Sequence, residues 1–131
     1  MPETLKQIYV VEDDPDIQVI VEMALSELGD FDVTVFGDGS ALFASLDTTE
    51  HPQLIILDVM LPGDDGPTIL KKLKARPESA QIPVIFATAK VRSCDQSLYA
   101  QLGAIGTIPK PFEIETLCDQ VTALWSKQNQ G

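Results

Sequence analysis

The fold of this chain is decided by the stretch Leu54-Ile55-Ile56-Leu57-Asp58. Its apolar part has the length of a strand and is far shorter than the ~20 residues of a membrane span. A short apolar run without polar alternation predicts a strand that is buried on both faces, as in a parallel sheet. Because the run ends abruptly on Asp58, the strand is expected to carry a carboxylate at its carboxyl end.

Other segments of the chain also have the composition of strands. The segment 31–36 alternates apolar and polar residues, which predicts an edge strand with one wetter face. Segment 8–11 is a continuous apolar run like the first. The predicted strands are 8–11, 31–36, 54–57, 82–87 and 105–108.

Apolar residues at helical spacing separate these strands. Asp14 before Pro15 is a typical N-cap followed by a first-turn proline, and Gly29 after the last apolar residue is a stop signal. One helical face lies between them. It comprises Ile17, Ile20, Val21, Ala24, Leu25 and Leu28. Four more helices are predicted around 42–46, 69–73, 94–102 and 114–124.

Regular strand–helix alternation predicts an α/β fold, in which a parallel sheet lies between two layers of helices and the crossovers are right-handed. The length of 131 residues is that of one domain. We therefore expect a single domain over 1–131, with its core at about 6–127 and a short polar tail at 128–131.

Polar residues follow the predicted strands at their carboxyl ends. They are Glu12, Asp13, Asp58, Thr88 and Lys110. In open parallel sheets, ligands bind beyond these ends, near the point where the strand order reverses. The sequence therefore predicts a site composed of these side chains.

Three carboxylates at one edge of a sheet repel one another, by about 4 kcal/mol per pair at ~4 Å and an effective dielectric of ~20. They persist together if a cation binds or if some carboxyls are protonated. Ligands that are all oxygens suit a hard divalent ion such as Mg²⁺. The ammonium of Lys110, the hydroxyl of Thr88 and the backbone N–H of Ala89 suit a phosphate dianion. Asp58 would then be the nucleophile that forms an aspartyl phosphate.

The chain resembles the response regulator receiver domain of two-component signalling, from about residue 6 to 127. The resemblance rests on four segments that follow one another in order, each at a strand end. They are Val10-Val11-Glu12-Asp13, Leu57-Asp58 with Pro62 and Gly66 after it, Ile82-Pro83-Val84-Ile85 leading into Thr88-Ala89, and Lys110-Pro111-Phe112. The resemblance implies a flavodoxin-like (βα)5 fold with the strand order 2-1-3-4-5.

The resemblance also implies a metal site. Asp58 would be the phosphoacceptor and would share a Mg²⁺ ion with Asp13, a direct ligand. Glu12 would act through water, and the backbone carbonyl of Met60 would be the third protein ligand.

The phosphoryl oxygens would be contacted by Thr88, the backbone N–H of Ala89 and Lys110. The resemblance further implies that the Lys110–Pro111 peptide bond is cis. The donor would be a histidine kinase or a histidine phosphotransfer protein, and the only catalysis would be the domain's own phosphorylation and dephosphorylation. Output would go to a protein partner through the face of the fourth helix, the fifth strand and the fifth helix.

Thr107 departs from the family pattern, in which an aromatic residue usually lies three positions before the lysine. That aromatic changes rotamer on activation, and threonine is too small to make the same movement. We therefore expect a smaller population shift here, carried mainly by the loop after Thr88, including Lys90 and Val91.

Composition excludes several classes of function. The net charge of −11 repels a nucleic-acid backbone, so direct binding of nucleic acid is not expected. The N-terminus lacks the pattern of a secretory signal, and no membrane association is expected. Cys94 and Cys118 have no metal-ligand spacing and are expected to be reduced thiols of a cytoplasmic protein.

Two other functions stay open at this stage. A phosphatase of the haloacid dehalogenase type would use Asp14 in a DxDx[TV] pattern, but Ile17-Gln18 breaks that pattern at its last position. A receiver-like interaction module that is never phosphorylated is the second alternative, and the intact set of acids argues against it.

Overall fold

The computed structural model describes residues 4–48, 51–89 and 93–129. Lys90 and Val91, in the loop expected to carry the response, lie outside these ranges. Within the described residues, five strands form one sheet. They are β1 (Gln7–Val11), β2 (Asp32–Phe36), β3 (Leu54–Asp58), β4 (Val84–Thr88) and β5 (Gly106–Pro109).

All four strand pairings are parallel, and the strand order is β2-β1-β3-β4-β5. The predicted order and the predicted edge position of β2 are therefore confirmed. The register pairs Val11 with Leu57 and Thr88 with Pro109. The strands consequently end at one edge of the sheet, immediately before Glu12 and Lys110.

Helices cover both faces of this sheet. They are α1 (Pro15–Met23), α2 (Gly39–Leu46), α3 (Gly66–Ala75), α4 (Ser93–Leu102) and α5 (Ile114–Asn129). Each predicted helix is present. Within the described residues, no helix is long and apolar enough to cross a bilayer.

The buried apolar side chains form two clusters, one on each face of the sheet, because successive side chains of a strand point to opposite sides. Ile8, Ile56 and Ile108 pack toward α1 and α5, around the buried residues Val21 and Trp125. The intervening strand residues pack toward α2, α3 and α4. They include Val11, Leu57 and Phe86, which form one cluster with the helix residues Leu42, Ile69 and Tyr99.

The first helical segment stops at Gly29, as predicted, but its last part is not α-helical. Helix α1 continues as a π-helical segment, Ala24–Leu28, and Gly29 has an ordinary φ of −103°. The left-handed residue is instead Asp30, with φ of 58°. The thiol of Cys118 donates a hydrogen bond to the carbonyl of Ala24 in this segment, at 3.2 Å. Cys118 is a free, half-buried thiol, as expected, and burial followed by the charge of Asp119 raises its pKa.

Gly66 lets α3 start directly against the end of β3. A Cβ atom at this position would lie 2.5 Å from the backbone oxygen of Asp58 and 2.9 Å from Cα of Val59. The amide of Gly66 donates to the carbonyl of Val59 at 2.9 Å, so the two backbones are also joined by a hydrogen bond. This contact determines where the loop after Asp58 runs.

Gly66→Ala should therefore lower the free energy of unfolding by about 2 kcal/mol, because the obstructing atoms belong to the backbone and have little room to move. Urea denaturation monitored by circular dichroism measures the effect. Gly37→Ala is the matched control, since a Cβ there would meet only Nε2 of Gln18, at 3.9 Å. Equal stability of the two variants would contradict the packing argument.

Candidate functional site

Strand alternation brings three charged side chains to one side of the sheet edge. Glu12 continues the alternation of Ile8, and Lys110 that of Ile108, both of which point toward α1 and α5. Asp58 likewise follows Ile56 at the same spacing. Since β1, β3 and β5 run parallel, all three side chains leave the sheet at the same edge and on the same face.

Lys110 lies between the two carboxylates. Its Nζ is 2.9 Å from Oε1 of Glu12 and 2.9 Å from Oδ2 of Asp58. The side chains of Glu12 and Asp58 are only 2% and 4% exposed, and that of Lys110 is 17% exposed. The arrangement is a nearly buried triad with one positive and two negative charges.

Burial and pairing compete in setting the pKa values of the triad. Burial raises the pKa of Glu12, hydrogen bonds from Lys110 and from the amide of Asp14 lower it, the charge of Asp58 raises it, and the net direction is upward. Burial alone would lower the pKa of Lys110, but its bonds to Glu12 and Asp58 outweigh that and raise it. Lys110 therefore stays charged, whereas burial makes the ionised form of Glu12 less favourable than it would be in water.

Asp13 adds a third carboxylate at the mouth of the site. One oxygen each from Glu12, Asp13 and Asp58 can be chosen so that all lie within 4.8 Å of one another. Asp13 is exposed, so the cluster opens to solvent on its side. A donor set made only of carboxylate oxygens, with one buried ammonium against several anions, fits a hard divalent cation such as Mg²⁺.

The two oxygens of the Asp58 carboxylate have different partners. Oδ2 accepts from Lys110, whereas Oδ1 accepts from the backbone N–H of Met60 at 3.2 Å. Met60 is 72% exposed. This hydrogen bond holds the Met60 backbone close to Asp58. The role of the Met60 carbonyl as a metal ligand stays a prediction.

Thr88 and Ala89 lie at the same edge of the sheet. Thr88 ends β4 and is buried, and its carbonyl accepts the backbone N–H of Lys110 at 3.0 Å. Ala89 follows directly and is exposed. The Lys110–Pro111 bond is cis, as predicted. Thr107 lies on β5, half-buried and opposite Phe86 of β4.

Asp14 and Gln18 have supporting roles that the sequence pattern did not indicate. The carboxylate of Asp14 caps α1 by accepting from the amides of Asp16 and Ile17, as predicted, but its own amide also donates to Oε2 of Glu12 at 3.1 Å. The side-chain amide of Gln18 donates to the backbone carbonyl of Glu12. Both contacts hold Glu12 in place, and only the tertiary structure reveals them.

A family model described as the response regulator receiver domain matches residues 8–122, most of the chain. The chain belongs to this family. Receiver domains are signalling modules of two-component systems, typically not enzymes, and they interact with histidine kinases or phosphotransfer proteins.

Individual relatives agree with this assignment. The DNA-binding response regulator MtrA of Mycolicibacterium smegmatis is 34% identical over 122 residues, which cover 92% of this receiver domain and 51% of MtrA. The chain thus spans about half or less of the length of curated relatives such as MtrA.

Solved structures share the fold. The chemotaxis protein CheY4 of Vibrio cholerae has a TM-score of 0.83 at 23% identity, over 92% of this chain and 99% of that one, a likeness of fold alone. The receiver domain of the sensor histidine kinase PA1611 from Pseudomonas aeruginosa has a TM-score of 0.79 at 27% identity, over 94% and 99% of the two chains. That structure has a magnesium ion coordinated in its active site cleft.

Lys110→Met should lower the free energy of unfolding at pH 7, in the presence of a chelator, by about 3 kcal/mol. Removal of the ammonium leaves Glu12 and Asp58 buried without a counter-charge, which is the costly way to break an ion pair. Urea denaturation gives the value. Lys127→Met removes an exposed lysine of α5 and should change stability little. A loss in Lys110→Met no larger than in this control would contradict the buried triad.

Proposed function

We propose that this receiver domain is a phosphorylation switch in which Asp58 accepts a phosphoryl group from a histidine kinase or a histidine phosphotransfer protein. The observation that carries the proposal is the 2.9 Å contact between Lys110 Nζ and the nearly buried carboxylate of Asp58. Glu12 makes the same contact with Lys110, so the choice of Asp58 over Glu12 rests on the resemblance of Leu57-Asp58 to the receiver family. The switch would comprise residues 1–131 as one domain, with its core at about 6–127.

The transfer is a displacement at phosphorus. An oxygen of Asp58 forms a bond to phosphorus while the bond from phosphorus to the donor's histidine nitrogen breaks, and the nitrogen keeps the electron pair. Lys110 remains beside the new acyl phosphate and offsets the charge of its oxygens. The hydroxyl of Thr88 and the N–H of Ala89 would donate hydrogen bonds to the same oxygens.

A Mg²⁺ ion would be held by Asp13, Asp58 and the carbonyl of Met60, with Glu12 acting through water. The ion, when bound, supplies positive charge that neutralises the phosphoryl oxygens. Two observations support this choice of metal. The carboxylate oxygens converge to within 4.8 Å, and the related receiver domain of PA1611 coordinates magnesium in its active site cleft.

The alternatives receive less support. A phosphatase that used Asp14 would need its carboxylate at the reacting centre, whereas that carboxylate is exposed and accepts the amides of Asp16 and Ile17 as the cap of α1. A module that is never phosphorylated would have no use for carboxylates that converge to within 4.8 Å of one another beside Lys110. Retention of that cluster, despite its cost, favours the phosphorylation switch.

Output would be a change in protein binding at the face formed by α4, β5 and α5. The net charge of −11 argues against direct contact between this domain and DNA. MtrA is a DNA-binding response regulator, but the matched part is about half of it. We also place this receiver domain in the cytoplasm, where the reduced thiol of Cys118 would be stable.

Acetyl phosphate with Mg²⁺ should therefore add the mass of one phosphoryl group to the intact protein. Asp58→Asn should abolish the addition, because an amide cannot form the acyl phosphate. Asp13→Asn should slow it by at least about tenfold, since one charged ligand of an electrostatic site is lost. Mass spectrometry of the intact chain follows both the rate and the extent.

Asp64→Asn is the matched control. Asp64 lies in the loop between β3 and α3, close in sequence to Asp58, but its carboxylate pairs with Lys72 of α3. It should be phosphorylated like the wild type. An unmodified wild type, or equal modification of Asp58→Asn, would overturn the proposed function.

A further inference from the structure

The face formed by α4, β5 and α5 contains an open pocket where the family's usual aromatic residue is missing. The pocket has a volume of about 310 Å³. Its lining includes Tyr99, Ala100, Ala104, Gly106, Thr107 and Leu124. Gln96 and Ile105 complete the lining, in which half of the residues are small. Leu124 packs directly over the backbone of Gly106, where a Cβ atom would lie 2.6 Å from its Cδ2 atom.

An aromatic ring is nevertheless present, and α4 supplies it. Tyr99 is 6% exposed and packs edge-to-face against Phe86, with ring centroids 4.9 Å apart and an interplanar angle of 61°. Phe86 lies opposite Thr107 in the β4–β5 register. The ring of Tyr99 therefore borders both the buried face of β4 and the empty space beside Thr107.

Phe86 connects this ring to the phosphoacceptor end of the sheet. It precedes Thr88 by two residues on β4, so both side chains point to the same face. Its Cε1 atom is 3.1 Å from where a Cβ of Gly66 would lie, and Gly66 abuts the backbone of Asp58. The ring of Phe86 is thus packed between the start of α3, next to Asp58, and Tyr99 on α4.

We propose that Tyr99 is the aromatic switch residue of this receiver domain, and that its ring moves into the pocket beside Thr107 when Asp58 is phosphorylated. The inference rests on the proposed function. A displacement at Gly66 would change the packing around Phe86, and Tyr99 has space to respond on the side of the pocket. Packed cores respond by discrete rearrangement rather than by smooth deformation. The response therefore appears on α4 and not on β5.

The two tyrosines of the chain make the test internally controlled. Tyr9 packs edge-to-face against Phe36 at the same centroid distance of 4.9 Å, but it lies on β1 and bonds to Ser45. Protein labelled with 3-fluorotyrosine gives one ¹⁹F resonance per ring, and Tyr9→Phe and Tyr99→Phe assign them. Beryllofluoride with Mg²⁺, standing in for the phosphoryl group on Asp58, should move the Tyr99 resonance by more than its line width. The Tyr9 resonance should stay in place.

A filled pocket should stop this response. Ala104→Leu places a larger side chain in the space, so beryllofluoride should still bind while the Tyr99 shift is lost. Ala44→Leu on the exposed side of α2 is the control and should retain the full shift. Thr107→Tyr should transfer the response from the ring of Tyr99 to the amides of β5.

The ¹⁹F signal of bound beryllofluoride separates the two ways in which the test can fail. If that signal is present and the Tyr99 resonance does not move, or if it still moves fully in Ala104→Leu, Tyr99 is an ordinary core residue and this inference is wrong. If the bound signal is absent from the wild type, or persists in Asp58→Asn, the proposed function fails and the inference fails with it.

Discussion

The contact on which the site depends is the ammonium of Lys110 held at 2.9 Å from two carboxylates, Glu12 and Asp58, that are almost fully removed from water. Two buried anions that share one cation are not a favourable arrangement in isolation, because the desolvation of each ion is only partly offset. The raised pKa of Glu12, caused first by its burial, reflects that imbalance. A site of this kind is stabilised by any further positive charge, which is consistent with the divalent ion proposed above. The burial of these charges lowers stability at this site, as is common at functional sites.

The rest of the fold holds these three side chains in position. Parallel strands bring the carboxyl ends of β1, β3 and β5 to one edge, and strand alternation turns Glu12, Asp58 and Lys110 to one face. Gly66 lets α3 begin against the backbone of Asp58, which places the loop that contains Met60 at the mouth of the site. On the opposite face of the sheet, Phe86 packs behind Gly66 and against Tyr99. The same close packing that supports Asp58 therefore also reaches the surface made by α4, β5 and α5.

Much of this could be predicted from local pattern. Apolar runs of strand length indicated the strands and their parallel arrangement, because strands buried on both faces need such runs. The polar residues that follow these runs, such as Asp58 and Lys110, indicated the end of the sheet where the site lies. The roles carried over from the receiver family could likewise be assigned by motif. The π-helical segment at Ala24–Leu28 could not be predicted, since it depends on how the helix packs against Cys118 of α5. The support that Gln18 gives to Glu12 and the pairing of Tyr99 with Phe86 were also beyond sequence reasoning. Both join residues whose side chains have no distinctive spacing along the chain.

The stability of Glu12→Gln in the presence of a chelator tests the electrostatic account most directly. The pKa of Glu12 is raised above its usual 4.5, so protonated Glu12 stabilises the fold below that pH, and this stability is lost as the pH rises through the folded value. Glutamine keeps the shape and removes the charge. We therefore expect Glu12→Gln to have a higher free energy of unfolding than the wild type at pH 7, and the difference to shrink as the pH falls toward 4.5. Glu22→Gln, at an exposed position of α1, should show no such pattern. A Glu12→Gln variant less stable than the wild type at pH 7 would mean that Lys110 fully compensates the two carboxylates, and it would contradict the account.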